Sequence, residues 1–137
     1  MFGRKLSYGA LGLVVALGVT TAPVLAAATR TGIVAAKITI TFAKAPPSGS
    51  TVSCGITLIS GDTLSPTDSK FTSVQVSGST ATCNLSVSYR WLVNSASSTM
   101  SIAYSASGPN QSSSGISRVI TLPASNTTTH VAIAVSQ

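Results

Sequence analysis

From Ala81 to Val93 apolar and polar side chains alternate. Ala81, Cys83, Leu85, Val87, Tyr89, Trp91 and Val93 share one parity, and Thr82, Asn84, Ser86, Ser88 and Arg90 share the other. Successive side chains of an extended strand point to opposite faces, whereas a helix, at about 3.6 residues per turn, would scatter both sets around its surface. The segment therefore predicts a long strand with one face in a core.

The same period recurs along the chain. Ile38, Ile40 and Phe42 alternate with Lys37, Thr39 and Thr41, and Val52, Cys54, Ile56 and Leu58 alternate with Thr51, Ser53, Gly55 and Thr57. Val74 and Val76 mark a shorter strand that meets the long one through Gly78-Ser79, a pair suited to a hairpin turn. Met100, Ile102, Tyr104 and Ala106 form another face, followed by the turn cluster Gly108-Pro109-Asn110. Ile116, Ile120 and Leu122 come next, then Pro123, a Ser-Asn-Thr loop, and Val131, Ile133 and Val135. Ser and Thr carry much of the polarity, and they suit pleated surfaces and turns better than helices.

Seven alternating strands within residues 29–137, with no helical period, predict an all-β fold: a two-layer antiparallel β-sandwich forming a single domain. A small closed β-barrel satisfies the same alternation and is the alternative. The resemblance to immunoglobulin and fibronectin type III domains is one of architecture only. In an immunoglobulin domain the core Trp lies between the paired Cys residues, whereas Trp91 follows both Cys54 and Cys83.

Residues 1–28 have a different character. Arg4 and Lys5 precede an apolar run from Leu6 to Val19, and Pro23 and the small residues Ala26-Ala27-Ala28 follow. This is the layout of a cleaved secretory signal helix, of a bacterial kind, with Pro23 ending the helix ahead of an A-x-A site. Cleavage is expected between Ala28 and Thr29, or alternatively after Ala26. The rival reading is an uncleaved anchor, but Gly9, Gly12, Gly18, Thr20 and Thr21 thin its hydrophobicity. The mature chain is thus expected to be secreted or periplasmic, with association at the cell surface included, and free of the membrane. Export makes a disulfide between Cys54 and Cys83 the natural assignment.

Titratable groups are sparse after residue 28. Arg30, Lys37, Lys44, Lys70, Arg90 and Arg118 face only Asp62 and Asp68, six basic residues against two acidic, a net charge of +4. They form no basic stripe with interleaved aromatics, so no nucleic-acid partner is expected. His130, the one histidine, falls on the solvent parity of its strand, and no local carboxylate accompanies it. Asp62 and Asp68 flank Gly61-Asp62-Thr63-Leu64-Ser65-Pro66, a segment better suited to a turn than to calcium, which takes more carboxylates. The serines lack GxSxG or SxxK context, and glycoside hydrolysis would rest on Asp62 and Asp68 alone. No catalytic, metal or cofactor residue is therefore expected.

Sugar binding needs exposed aromatic platforms, yet Phe42, Tyr89, Trp91 and Tyr104 fall on core parities, and only Phe71 is unassigned. Asn84, Asn110 and Asn126 open N-x-Ser/Thr sequons, which carry no meaning in most bacterial proteins. The expectation is an exported, non-enzymatic sandwich with a structural, adhesive or surface-assembly role. Segments 34–42 and 131–135, near the ends of the chain, are the expected edges for self-association. The alternative is a secreted module that binds a glycan or small molecule through loops such as Ser107 to Ser114.

Overall fold

The computed structural model describes residues 18, 27–62, 65, 67–95 and 98–137. Most of the expected signal segment lies outside these residues, as do Thr63, Leu64 and Pro66 of the Asp-Pro turn. Seven strands follow in order: β1 (Ala28–Thr41), β2 (Thr51–Ser60), β3 (Asp68–Gln75), β4 (Thr80–Val93), β5 (Thr99–Ser107), β6 (Ser112–Thr121) and β7 (Thr127–Ser136). They form two sheets, of order β4-β1-β7 and β3-β2-β5-β6. The sheets face each other across a shared apolar core and do not close into a barrel, which removes the barrel alternative.

β4 alternates buried and exposed residues along its whole length, as its sequence predicts. Its inner face meets Val34, Ala36, Ile38 and Ile40 of β1 and Val131, Ile133 and Val135 of β7 to complete one layer. Val52, Cys54, Ile56 and Leu58 of β2 and Met100, Ile102 and Ala106 of β5 form the other. Each large aliphatic side chain enclosed in this way contributes about 1.5 to 3 kcal/mol. Cys54 and Cys83 are bonded and fully buried, so the bridge ties β2 of one sheet to β4 of the other through the core.

Four ladders are antiparallel, but β1 and β7 pair in parallel, a departure from the all-antiparallel expectation. The cause is parity. Each connection reverses the chain, so β1, β3, β5 and β7 run one way and β2, β4 and β6 the other. Any pairing between the first and seventh strands is then parallel, and the intervening strands supply the long crossover that parallel neighbours need. This pairing also makes β1 a central strand, flanked on both sides, so the expectation that segment 34–42 is an edge is wrong.

The Gly78-Ser79 turn is present, but it does not head a hairpin. Ser77 and Thr80 exchange backbone hydrogen bonds of 2.9 and 3.1 Å, and Gly78 has φ 63°, as the first central position of a type II′ turn requires. Beyond the turn β3 pairs with β2 and β4 with β1, so the chain changes sheets there. Val74 and Val76 thereby pack against the core from one layer, while Ala81 and Cys83 line it from the other.

β6 carries the other departure. Its ladder with β5 slips between Ile102 and Ala103, which face Arg118 and Ile116 and leave Ser117 as an extra residue. Such a bulge reverses the face that later residues occupy. Ile116 and Ile120, expected on one face, therefore end on opposite ones: Ile120 packs against the core and Ile116 is 59% exposed.

Candidate functional site

The chemistry-bearing residues do not converge. At the end of the sandwich where β2 and β4 finish, the Asp62 carboxylate accepts from Asn94 N–H at 2.7 Å, from Asn94 Nδ2 at 3.0 Å and from Ser98 Oγ at 3.4 Å. It fastens the loop after β2 to the loop after β4. Asp68, at the start of β3, accepts from the indole Nε1 of fully buried Trp91 at 2.7 Å. Both carboxylates thus serve as acceptors for groups that fold the chain. His130 lies on the outer face of the other sheet, exposed, as its parity predicts. Among the described residues no three His, Cys, Asp or Glu side chains are grouped as a metal site.

Tyr89 and Trp91 stack at a tilt, with centroids 5.1 Å apart. Tyr89 lies directly over Gly32 of β1, where any Cβ would collide with its phenol ring. The buried hydroxyl of Tyr89 has no hydrogen-bond partner, and burial raises its pKa above 10.0, partly offset by the positive charge of Arg30. Arg30 itself donates to the carbonyl of Pro123 at 3.3 Å. These contacts belong to packing.

Ala28 and Thr29, expected to flank the signal cleavage, are the first rungs of β1, opposite Val93 and Leu92. Removal of residues through Ala28 deletes one rung, whereas a cut after Ala26 leaves the strand whole. The segment proposed for ligand contact folds as the β5–β6 connection: Gly108 N–H donates to Gln111 C=O at 2.8 Å, and Ser107 Oγ and Ser112 Oγ are 3.2 Å apart. It forms one wall of an open cleft of about 520 Å³, with Phe42, Lys44, Pro46 and Pro47 across from Pro109 and Gln111.

Three exposed apolar side chains lie on the outside of the β3-β2-β5-β6 sheet: Phe71 at 65%, and Ile116 and Val119 at 59% each. Phe71 covers Gly55 of the adjacent strand. Sequence reasoning missed Phe71 because β3 is polar at Asp68, Lys70 and Thr72 and shows no apolar period before Val74. It placed Ile116 on the wrong face because a single-residue bulge leaves no mark in composition.

The sheet margins differ from one another. β3 sets Lys70 opposite buried Ile56, and β6 combines its bulge with Arg118 opposite buried Ile102, so both margins carry charge on the inner parity. Inward-set charges and bulges blunt edges against pairing with another chain. β4 is joined to β3 across the layers by the Asp68–Trp91 bond. Among the described residues β7 is hydrogen-bonded to β1 on one side only, and its sequence from Thr127 to Ser136 has no Pro, no Lys, Arg, Asp or Glu, and no register shift. Among the described residues its free margin is the one that combines a regular ladder with an uncharged strand. No family model, curated protein or solved structure matches the chain. The reading of this margin therefore rests on its geometry.

Proposed function

We propose that this chain is an exported, non-enzymatic sandwich with a structural, adhesive or surface-assembly role, of immunoglobulin- and fibronectin-III-like architecture, and that its contacts are made through strand edges. The open margin of β7, beside three margins that carry blunting features or a neighbouring strand, is the observation that carries this reading. The engagement of Asp62 and Asp68 with folding partners supports contact rather than catalysis as its mode of action. The Arg4-Lys5 start, apolar run and alanine end support removal of a signal segment and delivery to a periplasm or the cell exterior. A buried Cys54–Cys83 bond is compatible with that oxidising setting.

Fractionation of producing cells, with intact-mass measurement and alkylation under denaturing, non-reducing conditions, tests the reading. The expected result is a chain beginning at Thr29 or Ala27, outside the cytoplasm, with both cysteines unreactive. Full-length cytosolic protein with two free thiols overturns it.

A second reading is favoured by the cleft between residues 42–47 and Pro109–Gln111, whose Pro and Phe walls and Lys44 suit a glycan or small molecule. Glycan-array binding that Lys44→Ala and Gln111→Ala abolish would select it.

A further inference from the structure

We infer that β7 pairs antiparallel with β7 of a second copy of this chain, about a two-fold axis at Ala132, joining two β4-β1-β7 sheets edge to edge. The inference rests on the assembly reading above and names its partner. Gln137 N–H donates to Thr41 C=O of β1 at 2.9 Å, so the odd-numbered residues at this end of β7 turn their peptide groups inward. By alternation, Thr128, His130, Ala132, Ala134 and Ser136 turn theirs to the free margin. An incoming strand must satisfy these donors and acceptors in register.

β7 itself meets every requirement when run in reverse. With Ala132 opposite Ala132 of the second copy, His130 faces Ala134 and Thr128 faces Ser136 in hydrogen-bonded pairs, each exchanging two N–H···O bonds. The outward side chains along the seam are small, and the sole titratable one, His130, faces an alanine. No like charges oppose each other there, although the chain as a whole is positive. On the inner side Val131 faces Ile133, and Thr129 faces Val135. The buried residues Val131 and Ile133 would thereby meet each other, with Val135 against the half-buried Thr129 beside them, and the two cores would run together across the seam. A two-fold interface of this kind is isologous, the commonest way for identical chains to associate.

Cysteine scanning and sedimentation test the register as well as the association. Ala132→Cys places a thiol opposite itself at a Cα separation of about 5.5 Å, within disulfide reach, and mild oxidation should yield a covalent dimer. Ala134→Cys alone should not, because its opposite number is His130, whereas the double variant His130→Cys/Ala134→Cys should. Ala132 points outward, so Ala132→Lys should leave the melting of the monomer unchanged while raising the dimer dissociation constant about ten-fold or more through like-charge opposition. Equal cross-linking of Ala132→Cys and Ser86→Cys, the latter on the outside of β4, overturns the pairing. So does a wild-type protein that sediments as a monomer at its highest soluble concentration. If that monomer loses surface retention in producing cells on Ala132→Lys, the margin takes a foreign strand and the assembly reading stands without self-pairing. If retention is also unchanged, both fail.

Discussion

Asp68 and Tyr89 show how single polar groups are settled in a core of this size. The indole N–H of Trp91 is buried, and the Asp68 carboxylate is its acceptor, so Asp68→Ala strands a donor in the interior. The expected loss is about 1 to 3 kcal/mol, read as a lower denaturant midpoint, and Asp68→Asn, which keeps a carbonyl acceptor, should restore most of it. Tyr89 is the opposite case, a buried hydroxyl with no partner. Its pKa is raised in the folded chain, so the native state holds the phenolic proton more tightly than the unfolded one. Stability is therefore full below the unfolded value near 10.0 and falls as pH rises from there through the folded value. Tyr89→Phe should remove that alkaline slope and add up to about 1 kcal/mol at neutral pH, because the desolvated hydroxyl is gone. Neither partnership was legible beforehand. Trp91 and Asp68 lie 23 residues apart on strands of different sheets, and alternation assigns faces without assigning neighbours across them.

Among the elements, β4 was the most legible and β3 and β6 the least, for one reason. A strand announces itself through the contrast between its faces, and that contrast is greatest where one face is wholly buried. β4 has it from end to end, so Val87→Asp should unfold the chain while Ser86→Asp is nearly neutral in a denaturant melt. A carboxylate at residue 87 enters an apolar core without a partner, whereas at residue 86 it stays in water. β3 and β6 are marginal strands with polar or slipped inner rows, and their faces blur. The directions of all seven strands follow from counting reversals, but the choice of β1 as the partner of β7 depends on which margins are left open after the sheets stack. Position along the chain suggested two terminal edges; the sheet order leaves one. The open β7 margin was thus half legible: its sequence marked a regular strand, and only the topology shows that no described strand pairs with its far side.

For the molecule as a whole, the Cys54–Cys83 bridge is the covalent tie between the layers that the backbone connections do not supply. It closes a loop across a separation of 29 residues, and in the chain-entropy account that restricts the unfolded state by about 3 to 4 kcal/mol. Reduction, or the Cys54→Ala/Cys83→Ala variant, should lower the unfolding free energy by that order, measured by denaturant titration, with added cost where the core repacks around the missing sulfurs. The parallel β1–β7 pair has a mechanical meaning as well. Because both strands run the same way, Ala28 and Gln137 emerge at opposite ends of the sandwich, separated by roughly the length of β1, on the order of 45 Å. Tension between them pulls the two strands past each other along their own axes. All rungs of the ladder then resist together, where an antiparallel terminal pair would peel apart one bond at a time. A chain held at one end and pulled from the other meets that force with its whole longest parallel seam, and the disulfide, lying outside the pair, neither shares nor bypasses the strain.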